Sequence, residues 1–298
     1  MLDNKIEIPP VELLDQYRSI VDEFKILGRT LGFHSTGWSY YLEWAWIFSQ
    51  IDSNALKDKV VLDAGAGLGL SQWYLAEHGA KVYSVDRLSR AGLPLYLRKR
   101  YSVTGVRVRD LLPVPQFLDP FNRSVGARER VRNVLRSLKS ILLRLPPGRA
   151  PGEVRIYNQD LAHLAGIPDG SVDWLVSVSS LEHNAPQDLG AVIDELFRVL
   201  KPGGALVATL AAAKEKDWLH VPSASWCYTD ETLIQLFKLA PDVPSNFGRF
   251  DELMKSVHAC KELRRSLSYH YFLSGKNGMP WGKWNPVYLP VGVVKVKK

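Results

Sequence analysis

The sequence predicts an α/β fold built on a mostly parallel sheet with helices on both faces. From Lys59 onward, short apolar runs alternate with stretches of helical periodicity, the pattern of repeated strand–helix–strand units. The first run passes into a glycine-rich turn, Asp63-Ala64-Gly65-Ala66-Gly67-Leu68-Gly69, where a strand hands over to a helix. The chain has 298 residues, 46% apolar and 23% charged, enough to bury a sizeable core, which excludes a disordered or fibrous chain.

Each element follows from its own pattern. Between Pro9 and Leu27, apolar residues recur at spacings of three and four (Leu13, Leu14, Tyr17, Ile20, Val21, Phe24, Leu27), which predicts an amphipathic helix packed on a larger body. The stretch from Gly37 to Phe48 is dense in aromatic residues and reads either as a buried helix or as a cap whose rings close over a ligand. The strands are expected at Val60–Ala64, Val82–Val85, Val154–Tyr157, Val172–Val178 and Ala205–Leu210. Helices fall between them at Leu70–His78 and Leu189–Leu200, the second closed by Lys201-Pro202-Gly203-Gly204 as helix stop and tight turn. Beyond them come helices at Asp230–Leu239 and Phe250–Arg265, and two apolar stretches, Tyr269–Leu273 and Val287–Val296, suited to antiparallel pairing at the sheet edge. The expected organisation is an N-terminal helical cap over residues 1–56 and a main domain over 57–298, with an insertion at about 94–153 and a substrate-facing extension from about 213.

Charge is concentrated rather than spread. Residues 94–155 hold 14 Lys/Arg against 4 Asp/Glu, so this segment carries +10 of the net +7 and the rest of the chain sums to −3. Within it, Val131, Val134, Leu135, Leu138, Ile141, Leu142 and Leu145 form an apolar stripe, with Arg128, Arg132, Arg136, Lys139 and Arg144 mostly off it. A basic amphipathic helix is expected there, ended by Pro146-Pro147-Gly148. Residues 123–149 would then meet an anionic partner or an anionic membrane surface, or pack on the domain with the arginines in water. No apolar run reaches membrane-spanning length, and the opening residues carry Asp3, Lys5 and Glu7 where a signal peptide would be basic and then apolar, so the cytoplasm is the expected compartment. Cys227 and Cys260 are too few for a disulfide framework.

The glycine turn carries the chemistry. Alternate glycines let a ligand lie against bare backbone N–H groups at a helix N-terminus. A dinucleotide fingerprint reads G-x-G-x-x-G, whereas this loop is D-x-G-x-G-x-G, and the Asp63 carboxylate suits a cationic ligand head better than a pyrophosphate. Seventeen residues past Gly69 the second strand ends at Asp86, where open α/β folds place an acid on ribose hydroxyls. The third ends at Gln159-Asp160, a further acid at the same sheet edge.

Together with Ser179-Ser180-Leu181-Glu182-His183 after the fourth strand and Glu195-Leu196-Phe197-Arg198-Val199-Leu200-Lys201-Pro202-Gly203-Gly204, these residues resemble a class I S-adenosylmethionine-dependent methyltransferase of the type 11, small-molecule kind, over about residues 57–212. The resemblance implies a Rossmann-like, seven-stranded, mostly parallel sheet with one antiparallel strand, and S-adenosyl-L-methionine as cofactor. It gives Gly65, Gly67 and Gly69 to the methionine and ribose part, has Asp63 order the loop and the amino-acid end, and places Asp86 on the ribose and Asp160 on the adenine amine. The candidate cofactor set is Asp63, Gly65, Ala66, Gly67, Gly69, Asp86, Arg87, Gln159, Asp160, Leu161 and Ser179.

Methyl transfer is an in-line displacement in which positioning does most of the work, and a base is needed where the acceptor must lose a proton. His183 is the candidate base, with Glu182 to orient it or contact substrate, or else it caps the strand end. His220 is the second candidate, in a cluster with Trp218, Trp226 and Tyr228 that reads as a substrate wall or as core. An Asn-Pro-Pro-Tyr run, a paired-glutamate loop, a Pro-Cys context and a carboxylate triad are all missing, which disfavours amino-methylating DNA enzymes, arginine methylation, covalent pyrimidine methylation and a metal site. The expected reaction is methyl transfer to an oxygen of a small molecule, saccharide or lipid-linked intermediate. The alternatives are an RNA methyltransferase using the insertion as an arm, with Tyr96, Tyr101, Phe117 and Phe121 available for stacking, and an inactive binding protein that retains the fold.

Overall fold

The computed structural model describes residues 2–33, 36–90, 93, 95–105, 126–128, 131–132, 135, 148–267, 275, 277–279 and 283–298. In chain order the strands are β1 (Lys5–Glu7), β2 (Val60–Ala64), β3 (Lys81–Asp86), β4 (Thr104–Gly105), β5 (Glu153–Asn158), β6 (Val172–Val178), β7 (Leu200–Ala212), β8 (Trp218–His220), β9 (Ser225–Tyr228) and β10 (Leu289–Val296). The α-helices are α1 (Leu13–Gln16), α2 (Arg18–Leu31), α3 (Tyr40–Gln50), α4 (Ser71–Glu77), α5 (Leu95–Arg100), α6 (Pro186–Val199), α7 (Asp230–Leu236), α8 (Phe250–Ala259) and α9 (Lys261–Ser266).

The sheet runs β1-β10-β7-β6-β2-β3-β5-β4, with β2, β3, β5, β6 and β7 parallel and β10 antiparallel to β7. This is the doubly wound α/β architecture, with its order reversing at β2 so that the carboxyl ends of β2 and β6 flank a crevice. Side-chain alternation along the strands separates two cores. Leu62, Leu175, Leu206 and Val293 join a cluster with Leu189, Val192, Ile193 and Leu196 of α6. Their neighbours Val61, Val176, Val207 and Val294 join another with Trp46, Ile47, Trp73 and Tyr74 of α3 and α4.

The strand total exceeds the seven expected. Lys5–Glu7 pairs outside β10, so the C-terminal strand lies inside the edge rather than on it. Thr104–Gly105 extends β5, and β8 and β9 form a hairpin at the end of β7. The residues Lys201 to Gly204 do not form a separate turn: α6 passes directly into β7, Val172 pairs with Leu200 and Trp174 with Ala205, and the intervening residues bulge opposite Asp173. The N-terminal helix is also broken, at Tyr17 (φ −111°, ψ 41°), and α2 continues to Leu31, where Gly32 ends it in the left-handed conformation. The helix expected over Phe250–Arg265 breaks at Cys260.

Aromatic residues dock the N-terminal helices on α4. The Phe24 ring of α2 stacks between Trp44 at 4.3 Å and Tyr74 at 4.4 Å. Trp46 lies so close over β10 that a Cβ at Gly292 would sit 2.3 Å from its ring, and its indole N–H donates to Glu7 Oε2 at 2.8 Å. Tyr96 and Tyr101 are core residues, the first donating to the Leu31 carbonyl and the second to Glu77, which corrects their reading as stacking residues for RNA. Phe117, Phe121, the stretch Tyr269–Leu273 and most of the basic helix lie outside the described residues. Of that helix, Arg128, Val131, Arg132 and Leu135 are described, helical and exposed.

Candidate active site

The crevice over β2 and β6 contains a cleft of about 540 Å3 lined by Asp63, Gly65, Ala66, Gly67, Gly69, Asp86, Ser179 and His183, among others. A smaller cavity of about 190 Å3 shares Gly65, Asp86 and His183 with it and adds Arg87, Gln159, Asp160 and Leu161. The whole candidate cofactor set thus lines one of two adjoining cavities. Phe33, Tyr40 and Trp44 of the N-terminal segment also line the larger one.

Local geometry explains the loop. Gly65 sits at φ +74°, and a Cβ there would fall 1.6 Å from Ser180 Oγ, so only glycine fits between β2 and the end of β6. The Gly65 and Ala66 N–H groups donate to the Val85 carbonyl at 2.9 and 3.1 Å. Asp86 accepts from the N–H of Gly67 at 2.8 Å and of Leu88 at 2.6 Å, which fixes its carboxylate beside the loop. Gln72 completes the support: its Nε2 reaches the Gly69 carbonyl at 3.0 Å, while its Oε1 accepts from Ser84 at 2.8 Å.

Asp63 is buried, and desolvation pushes its carboxyl up to about 7, with Arg90 opposing and Asp86 adding to the rise. Its Oδ2 is buried without a partner, and so is Gln159 Nε2 in the smaller cavity. An orphaned acceptor at one end and an orphaned donor at the other fit a ligand with a cationic amino-acid head and a heteroaromatic tail. Asp160 pairs with Arg87. Although burial opposes it, the Ala162 N–H and the Arg87 guanidinium hold the Asp160 carboxyl below its usual range.

Ser179 and His183 stand at the end of β6. Ser179 adopts φ +44°, a costly conformation for serine, held by its N–H on the Thr209 carbonyl at 3.1 Å and its hydroxyl on Glu43 Oε2 at 2.6 Å. His183 is exposed, with Nδ1 3.0 Å from the Ala224 carbonyl. A carbonyl accepts only, so Nδ1 carries the hydrogen and Nε2 is the basic nitrogen. His220 is placed differently: it is buried, its Nδ1 lies 2.6 Å from Ser223 Oγ, and its ring meets Trp218 and Tyr288 edge-on. Desolvation lowers its pKa. Tyr228 is fully buried and donates to the Asn184 carbonyl at 2.6 Å, while Trp226 packs on the core.

Sequence reasoning missed three supporting residues. Gln72 reads as an ordinary helix residue until Ser84 and the loop carbonyls converge on it. Glu43 is buried in the aromatic helix, where its Oε2 accepts from Ser179 and from Thr209 at 2.7 Å. Tyr288 joins from a segment distant in sequence. The acid at position 43 was the available signal, since a carboxylate among Leu42, Trp44, Ala45 and Trp46 needs partners.

Residues 129–208 match the family model described as "Methyltransferase domain". No curated protein matches the sequence. Among solved structures, the chain is similar to the (4+2)-cyclase SpnF, at 13% identity over 99% of this chain and 100% of that one, TM-score 0.47. It is also similar to Haemonchus contortus phosphoethanolamine N-methyltransferase 2, at 14% identity over 91% of this chain and 60% of that one, TM-score 0.45. A third is the Burkholderia thailandensis 1,6-didemethyltoxoflavin-N1-methyltransferase, at 15% identity over 95% and 88%, TM-score 0.39. The matched segment includes β5 and β6 of the sheet that carries the D-x-G-x-G-x-G loop, and over these residues the chain is similar to the methyltransferase family.

Proposed function

We propose that the enzyme methylates an oxygen of a small molecule, a saccharide or a lipid-linked intermediate, with His183 as general base. The observation that carries this reading is the position of His183: it borders both cofactor cavities and a third pocket beside them, with Nδ1 engaged by Ala224 and Nε2 left as the base. Asp63 and the Gly65–Gly69 loop would hold the amino-acid end of S-adenosylmethionine, Asp86 its ribose, and Gln159 and Asp160 its adenine. When bound, the cofactor supplies an electrophilic methyl group on a sulfonium. His183 orients the acceptor hydroxyl and takes its proton at Nε2, and the resulting imidazolium keeps its Nδ1–H on the Ala224 carbonyl. Phe33, Tyr40 and Trp44 exclude water above the reacting atoms.

In this reading residues 1–56 act as a cap, and the segment from about 213 faces the substrate. The basic segment at 123–149 draws an anionic or membrane-borne substrate toward the cleft. Among the described residues no helix is long and apolar enough to cross a membrane. Liposome flotation tests the last point: deleting residues 123–149 should abolish binding to anionic vesicles, and equal flotation of both proteins refutes it. For the base, His183→Ala should lower kcat by about 10²–10⁴-fold while S-adenosylhomocysteine affinity stays within about twofold. An unchanged kcat would remove His183 from the reaction.

A further inference from the structure

Beside the cofactor cleft lies a pocket of about 200 Å3 that shares Tyr40, Ser179 and His183 with it. Two polar atoms on its wall are buried without a partner, Glu182 Oε2 and Asn277 Nδ2, on residues only 4% and 6% exposed. The Asn277 amide is oriented by its other end, since Oδ1 accepts from the Met279 N–H at 3.0 Å. Unpaired buried polar groups are costly, and two on one wall mark where a ligand's own polar atoms belong.

Charge sets the sign of that ligand. Burial raises the Glu182 carboxyl well above its ordinary range, and the neighbouring Glu43, itself buried, adds to the rise, so a cation placed beside Oε2 is what would hold this carboxyl ionised. Among the described residues lining the pocket there is no lysine or arginine. Its remaining walls include the rings of Trp38, Tyr40 and Tyr288, with the Trp38 indole N–H on the Tyr288 hydroxyl at 3.3 Å. Aromatic faces around a desolvated carboxylate are the recognition elements of an organic ammonium group.

We infer that this pocket binds the ammonium group of the methyl acceptor, with Glu182 as its counterion and Asn277 Nδ2 donating to a neighbouring oxygen. The substrate class is therefore an amino alcohol or amino sugar, whose ammonium group is recognised here while an anionic or lipid-borne part of the same molecule meets the basic segment. The inference rests on the oxygen-methylation reading, in which the hydroxyl to be methylated faces His183 from the same molecule.

Thermal denaturation with S-adenosylhomocysteine present tests it without turnover. D-glucosamine is compared with D-glucose, and ethanolamine with ethylene glycol, at equal concentration and ionic strength. At least one amine should raise the Tm by about 2–5 °C over its neutral partner. Glu182→Gln, which keeps the shape and removes the charge, should abolish that rise while keeping the shift due to S-adenosylhomocysteine itself, and Asn277→Ala should reduce it. Equal shifts from amine and neutral partner, no shift from either amine, or a shift that survives in both variants overturns the inference. Loss of the S-adenosylhomocysteine shift in the wild type instead refutes the methyltransferase site, so the two failures are distinguishable.

Discussion

Asp63 sits where burial works against its charge. Its carboxyl is held up at about 7, above the ordinary value near 4, so ionising it as pH rises between these values costs folding free energy. The same burial leaves the folded protein with a preorganised acceptor. Asp63→Asn should therefore leave the Tm at pH 8 unchanged or higher, yet weaken S-adenosylmethionine binding. In the wild type, affinity should increase by up to about tenfold per pH unit below 7 as the carboxylate forms, and the asparagine variant should flatten this dependence. Calorimetric titration between pH 5.5 and 8.5 checks both, and a flat wild-type profile would contradict the assignment. Gly65 is constrained twice, by φ +74° and by Ser180 Oγ, 1.6 Å from where a methyl group would sit. Gly65→Ala should abolish cofactor binding, and adding Ser180→Gly should restore it only in part, because the left-handed backbone still costs about 1–2 kcal/mol. Both residues were legible from the D-x-G-x-G-x-G spacing. The contacts that make them work, from Gln72 and from the Ser180 hydroxyl, were not, since which side chain fills a turn depends on strands that meet only in three dimensions.

At the scale of elements, strands that are mostly apolar were readable to the residue, as with Val60–Ala64 and Val172–Val178. The three-residue β1 was not, because the residues that hold it lie far along the chain, Val293 opposite Ile6 and the Pro244 carbonyl that accepts from the Ile6 N–H. Likewise the break at Tyr17 leaves the apolar period uninterrupted and so has no local signature. Helices α2 and α9 are joined by Glu262, which accepts from Arg18 at 2.6 Å and Lys25 at 2.7 Å. These partners hold the Glu262 carboxyl at about 2, below its unfolded value. A depressed pKa stabilises the fold above the unfolded value near 4.3 and loses that contribution as pH falls toward 2. Glu262→Gln should cost on the order of 1–2 kcal/mol at pH 7 after screening by solvent. The difference from wild type should shrink between pH 4 and pH 2 in denaturant titrations, and an equal difference at both ends would contradict the ion-pair account.

Over the whole molecule, the N-terminal helices are built into the main core rather than appended to it. Trp46 crosses Gly292 of β10 and bonds to Glu7 of β1, so the sheet edge and α3 share one contact. Gly292→Ala should force the indole aside and destabilise the protein by about 1–3 kcal/mol, read as a lower Tm together with weaker S-adenosylhomocysteine binding, because Tyr40 and Trp44 on the same helix line the cleft. The fold class and the glycine loop were legible because both rest on short-range patterns. The acceptor pocket was hidden because Trp38, Glu182, Asn277 and Tyr288 come from four separate segments.

In the proposed reaction the crevice over β2 and β6 transfers a methyl group from S-adenosylmethionine to a small acceptor presented to His183. Transfer of labelled methyl into cell extract fractionated into RNA, protein, lipid and polar small molecules tests it most directly, with Asp86→Ala and His183→Ala alongside. Label is expected in the small-molecule or lipid fraction, lost in Asp86→Ala through cofactor binding and reduced by about 10²–10⁴-fold in His183→Ala. Ribonuclease-sensitive label, or full transfer by His183→Ala, would contradict it.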